Sequence, residues 1–176
     1  DYTSAKALVK AAAAWDGPVY LRFTRDVVPV IYDEEDTFEI GKAKILREGG
    51  DVTLIANGDT VRLALEAADN LQKKGISARV LDMHTIKPLD EKAVLDCIRS
   101  TKAIGTVEDH NIYNGLGSSV AELVSENGGA RMRRVGIHDQ FGQSAPYERL
   151  LEMNGITTEN IVKQAEELLE QKSQIV

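Results

Sequence analysis

Val52-Thr53-Leu54-Ile55-Ala56 is a short run of strand-forming residues, and Asn57-Gly58-Asp59-Thr60 turns it directly into a helical pattern. A strand without polar–apolar alternation is covered on both faces, as in a parallel sheet. Asp59 is expected to cap a helix carrying Val61, Ala64, Leu65, Ala68 and Leu71 on one face and ending at Gly75. Downstream the alternation continues. Ala78–Leu81 reads as a strand, Pro88-Leu89-Asp90 opens a helix to about Ser100, and Ala103–Val107 is the next strand. Gly115–Asn127 reads as a helix with Leu116, Val120, Leu123 and Val124 facing inward, followed by a strand over Met132–Ile137. A polar loop over 138–145 leads to two helices near 146–152 and 157–171. Upstream, Ala43–Leu46 reads as a strand broken at Gly49-Gly50. Only about four residues separate it from the strand at Val52, which suits a hairpin, so this first strand is expected to run antiparallel to its neighbour. The predicted fold is a three-layer α/β/α domain with a mixed, mostly parallel sheet of about five strands. Such sheets place ligands or partners at the carboxyl ends of their strands.

The first part of the chain follows a different pattern. Residues 3–14 read as an alanine-rich helix capped by Thr3 or Ser4 and stopped by Asp16-Gly17-Pro18. Val19–Phe23 reads as a short buried strand. Val27–Thr37 has no period and holds Pro29 and the acidic cluster Asp33, Glu34, Glu35 and Asp36, so it reads as a linker. The expected division is residues 1–37 and residues 38–176. The chain opens Asp1-Tyr2-Thr3-Ser4 without a methionine, which suggests a fragment or a processed product.

Composition narrows the function. Of 176 residues, 43% are apolar and 28% charged, an ordinary globular balance, and the net charge is −7. A nucleic-acid partner would require a basic face, so none is expected. No apolar run approaches the roughly 20 residues that cross a bilayer, so no membrane partner is expected either. Cys97 is the single cysteine and falls on a helical stripe with Ala93, Val94 and Ile98, where it reads as a buried hydrophobe. Nothing points to an oxidising compartment, and a cytoplasmic setting is expected.

Several groups are candidates for chemistry. Glu108-Asp109-His110 follows a strand as a loop, where a carboxylate pair beside an imidazole suits acid–base work or a satisfied polar cluster at a subunit contact. The second is favoured. Gly115-Leu116-Gly117-Ser118-Ser119 opens a helix whose free amides suit an anion. It departs from the dinucleotide fingerprint at Val120 and stands apart from its strand, so close backbone packing is favoured there. Asn57-Gly58-Asp59-Thr60 lacks the Walker lysine and reads as a turn and a cap. His84, His110 and His138 fall in separate loops without metal-ligand spacing. Arg22 and Arg25 flank the end of the first predicted strand, and each suits either a phosphate grip or a surface pair, for instance with Asp26.

Arg79-Val80-Leu81-Asp82, Thr85-Ile86-Lys87-Pro88-Leu89-Asp90, and Thr106-Val107-Glu108-Asp109-His110 followed by Gly115-Leu116-Gly117 resemble the transketolase C-terminal domain. Phe38-x-Ile40-Gly41-Lys42-Ala43 resembles its entry, and Gly142-Gln143-Ser144 with Leu150, Gly155, Ile156 and Thr157 its closing helices. This domain is shared by deoxyxylulose-phosphate synthases and the beta subunits of 2-oxo-acid dehydrogenases. The Thr85–Asp90 run and the plain Val107-Glu108-Asp109-His110 motif favour transketolase. Residues 1–32 resemble the last helix and strand of the preceding pyrimidine-binding domain, with Gly17–Arg22 similar to its final strand.

The resemblance implies a ketol-group transferase of the pentose phosphate pathway that uses thiamine diphosphate and magnesium. This piece would serve assembly and dimerisation without being catalytic alone. It implies sugar-phosphate substrates, an N-terminal transketolase region or subunit as partner, and a homodimer. Thr24-Arg25 matches the position where transketolases place an arginine on the substrate phosphate, which assigns Arg25 that role. Asp26–Val28 departs from the pattern. The resemblance assigns no catalytic, cofactor-binding or metal-binding residue to this chain and no role to His84 or His138. A rival of another class is a stand-alone regulatory module that binds an anion at Gly115–Ser119. Residues 1–32, lacking the rest of their sheet, are expected to pack against a neighbouring chain or against the main domain.

Overall fold

The computed structural model describes residues 1–173. Helix α1 (Tyr2–Ala14) is followed, after a long irregular segment, by β1 (Lys44–Arg47), β2 (Val52–Ala56), α2 (Thr60–Lys73), β3 (Ala78–Asp82), α3 (Glu91–Ser100), β4 (Ala103–Asn111), α4 (Leu116–Asn127), β5 (Arg131–Ile137), α5 (Tyr147–Met153) and α6 (Thr158–Ser173). The strands form one sheet in the order β1-β3-β2-β4-β5, parallel throughout except for β1. This is the expected mixed α/β/α sheet.

Every residue of β2 is buried because helices cover both faces. Successive strand residues point to opposite faces. Leu54 joins a core with Val61, Ala64 and Leu71 of α2 and Ile161, Ala165 and Leu168 of α6. Ile55 joins a second core with Val94, Cys97 and Ile98 of α3 and Leu116 and Val120 of α4. Cys97 is thus a packed apolar group, and its burial pushes the thiol above its ordinary range.

Strand β1 is antiparallel as expected, but its partner is β3 and there is no β1–β2 hairpin. Both sides of β2 are already taken, by β3 and β4. The connection instead crosses the start of β3. The Asp51 amide donates to the Ser77 carbonyl at 2.9 Å, and the Ser77 amide returns a bond to the Asp51 carboxylate at 2.7 Å. Gly49 passes so close to β3 that a Cβ there would lie 2.2 Å from the Ala78 carbonyl carbon.

The N-terminal segment departs further from expectation. The cap of α1 is Asp1, not Thr3 or Ser4. Its carboxylate accepts the Ser4 amide at 2.9 Å and also the Ile31 and Tyr32 amides at 2.7 and 3.0 Å. Val19–Phe23 is not a strand. It is irregular and exposed, with Tyr20 88% accessible, because no neighbouring strand takes up its backbone groups. Part of the segment does pack on the main domain: Tyr32 is buried, and Ile31 lies against the first core.

Candidate functional site

The carboxyl edge of the parallel strands gathers the polar residues. Here β4 runs on as far as Asn111, so Glu108, Asp109 and His110 lie in a strand and not in the loop expected from the sequence. Their side chains diverge. Glu108 is 1% exposed, and its two carboxylate oxygens accept the Leu116 and Gly117 amides at 2.8 and 2.7 Å. Gly115, at the N-cap of α4, has no side chain to offer, so Glu108 provides the cap from a different element. Burial raises the Glu108 carboxyl above its usual range, opposed by the two amides. The anion site suggested for Gly115–Ser119 is therefore filled by the chain's own carboxylate, which removes the basis of the anion-binding rival. The glycines there serve close approach: a Cβ on Gly115 would fall 2.0 Å from Glu108 Oε2.

His110 lies beside this carboxylate without a hydrogen bond to it. Its Nδ1 is 3.9 Å from Glu108 Oε2 and 2.8 Å from the Asn111 carbonyl oxygen. Asp109 takes part in a second network. Arg22 donates through Nη1 to the Asp109 carbonyl at 2.8 Å, and its Nη2 is 3.4 Å from Asp109 Oδ2. The Tyr147 hydroxyl lies 3.3 Å from the same Oδ2 and makes a short hydrogen bond to Asp59 Oδ2. Asp59 does not use its side chain to cap α2. Its burial raises its carboxyl above the ordinary range; the Tyr147 bond opposes the rise, and the nearby Asp109 charge adds to it. Thr60 ties the same turn to β4, with its hydroxyl 2.9 Å from the Val107 carbonyl.

Arg25 is exposed, and its side chain makes no hydrogen bond or ion pair among the described residues. The three histidines remain apart. His84 packs edge-on to Phe38, with ring centroids 5.6 Å apart, and burial lowers its pKa. His138 is exposed on the loop after β5. Among the described residues no group of three or more His, Cys, Asp or Glu is placed to hold a metal ion. Among the same residues no helix is long and apolar enough to cross a membrane.

Residues 41–161, more than half the chain, match the family described as transketolase, C-terminal domain. The chain belongs to the transketolase C-terminal domain family. It is 44% identical over 173 residues to the 6-deoxy-6-sulfo-D-fructose transketolase subunit SqwH of Clostridium sp. (strain MSTE9), covering 98% of this chain and 54% of that protein. It is 37% identical over 171 residues to the 1-deoxy-D-xylulose-5-phosphate synthase of Heliobacterium modesticaldum, covering 96% of this chain and 26% of that one. A solved structure titled "Split gene transketolase, inactive beta4 tetramer" superposes with a TM-score of 0.93 at 41% identity, over 97% of this chain and 56% of that chain. The chain therefore spans about half the length of relatives such as SqwH.

In this transketolase C-terminal domain, sequence reasoning missed Tyr147 as a polar anchor, and it assigned Asp59 the wrong partner. Asp59 carried a signal, since it lies in the turn that follows a buried strand at the carboxyl edge. Tyr147 lies 88 residues away from it, in no motif. A second missed group is Tyr32 with Asp82, a buried pair whose hydroxyl donates to the carboxylate at 2.6 Å. Asp82 ends β3, but its partner comes from the irregular linker.

Proposed function

We propose that this chain is the C-terminal part of a thiamine-diphosphate-dependent transketolase that moves a two-carbon ketol unit between sugar phosphates. The family match over residues 41–161 carries this reading. Thiamine diphosphate, when bound, supplies the carbanion chemistry. The Gly115 helix start is occupied by Glu108, which supports placing the cofactor's diphosphate elsewhere. The reading assigns cofactor and magnesium to the N-terminal region or subunit, and gives this chain assembly of a homodimeric enzyme in the cytoplasm.

Residues 1–37 are read as the end of the pyrimidine-binding domain plus its linker, and residues 38–176 as the C-terminal domain. Arg25 is assigned to the terminal oxyanion of the substrate. Its exposure, with no competing partner among the described residues, supports that role. A guanidinium fork accepts a phosphate or a sulfonate alike. The sulfonated sugar in the name of the Clostridium relative makes both worth assaying.

The test is a ketol-transfer assay and a thiamine-diphosphate titration on the purified chain, then on the chain mixed with its N-terminal region. Activity is expected in the mixture alone. Turnover or tight cofactor binding by the isolated chain would overturn the reading. Condensation of pyruvate with glyceraldehyde phosphate by the mixture would assign it to the deoxyxylulose-phosphate synthases instead.

A further inference from the structure

A groove of about 670 Å³ runs along the flank of the sheet domain, between α3 and the paired strands β1 and β3. Its floor is apolar, with half-exposed Ile45 of β1 standing opposite Leu81 of β3. Four cationic side chains line it, Lys42, Arg79, Lys92 and Arg99, against the two carboxylates of Asp90 and Asp96. Asp90 already accepts the Ala43 and Ala93 amides at 3.0 and 3.1 Å. Asp96 lies between Lys92 and Arg99, at 2.9 and 2.5 Å. Lys42 and Arg79 are left without a carboxylate inside the groove. Such a positive surplus stands out on a chain of net charge −7.

Arg79 is the informative group. Its side chain is only 19% exposed, and its Nε is buried without a hydrogen-bond partner among the described residues. Nη1 donates to the Ser100 hydroxyl at 3.2 Å, and Nη2 lies 3.1 Å from Glu48, whose side chain is 70% exposed. A guanidinium taken this far out of water is costly unless an anion is held firmly against it, and an exposed carboxylate holds it weakly. Arg79 is the second residue of β3 and Ser100 the last of α3, so this end of the groove lies at the amino edge of the sheet. The hydrogen bonds from residues 1–37 to the sheet domain reach the opposite edge, at Lys44, Asp82 and Asp109. We propose that this groove is a binding site for a nucleoside phosphate. The base lies on Ile45 and Leu81, and the phosphate takes Arg79 from Glu48, with Lys42 as a second cation. The site is independent of the cofactor and substrate roles assigned above.

Titration calorimetry of the purified chain with ADP would test the proposal, with adenosine as the uncharged control. ADP is expected to bind with a Kd between about 10 μM and 1 mM, the range of an open site held by a few charged contacts. Adenosine is expected to bind at least about tenfold more weakly, as for loss of a charged hydrogen bond. Arg79→Met should weaken ADP binding by a similar factor, and Lys42→Met roughly two- to fivefold. Glu48→Gln should tighten it roughly two- to fivefold, because the phosphate no longer competes with a carboxylate. Lys42 and Glu48 are exposed, so these two variants keep the test decisive even if Arg79→Met does not fold. The same titration on the chain mixed with its N-terminal region, saturated with thiamine diphosphate, should give the same variant effects. Absence of saturable ADP binding, equal binding of adenosine, or indifference to the Lys42 and Glu48 substitutions would each overturn the proposal. Loss of the site in the mixture would overturn it as well.

Discussion

Asp82 shows how a single residue can set a pH dependence. It is 4% exposed. One carboxylate oxygen accepts the Tyr32 hydroxyl, and the other has no partner among the described residues. Burial pushes its pKa from 3.8 up to about 6, opposed by the Tyr32 bond. The folded state therefore binds this proton more tightly than the unfolded state. The Asp82 contribution to stability is full below pH 4, declines as the pH rises towards 6, and stays low above that. A shift of this size corresponds to at most about 3 kcal/mol, at about 1.4 kcal/mol per pH unit. Asp82→Asn should remove this component. Thermal melts should show the parent losing stability relative to the variant as the pH rises from 4 to 6. Parallel melting curves across that window would show that Asp82 does not titrate there.

At the level of elements, two close approaches decide how strands meet their neighbours. The start of α4 is held by Glu108, a residue of β4. Gly115→Ala would drive a methyl group into that carboxylate, and Glu108→Gln would turn an amide NH2 towards a backbone N–H. Each is expected to cost about 1–3 kcal/mol in urea denaturation, the usual penalty for a buried polar group left without its partner. A stable Glu108→Gln protein would mean that the cap contributes little. The second approach is Gly49, where the chain crosses β3 to place β1 on its far side. Here the obstacle is backbone, which cannot rotate away as a side chain can. Gly49→Ala is expected to lower stability by about 1–3 kcal/mol, as overpacking does, and to loosen the β1–β3 pairing in amide hydrogen exchange. The short connection of about four residues between β1 and β2 suggested a hairpin, but loop length alone does not say which edge of the sheet is free.

For the whole molecule, the main contrast is between the sheet domain and residues 15–30. Tyr20, Phe23, Val27 and Val30 are all exposed there, and Arg22 and Arg25 offer tryptic sites. Limited trypsin digestion of the isolated chain should cut at Arg22 or Arg25 before any site in the sheet domain. Mass spectrometry of the early products checks this, and resistance at both sites would mean that the segment is better packed than its exposure indicates. The α/β/α layers could be read from the sequence because the signal is local: Val52–Ala56 is apolar without alternation, and α2 has one apolar face. The parallel pairing followed from the helices between strands. The closeness of Gly115 to its surroundings could also be foreseen from its glycines. The partners of Glu108, Asp109, Asp59 and Asp82 could not. Each bond joins residues from 8 to 88 positions apart, through a strand order that no local pattern records. The buried strand expected at Val19–Phe23 shows the opposite limit. Its composition suits a strand, but a strand needs a neighbour to take its hydrogen bonds. The sequence by itself determined which segments become helices and sheet strands in the domain. Only the tertiary structure decided which polar groups meet, because burial and chain crossings, not residue spacing, bring them within hydrogen-bonding distance.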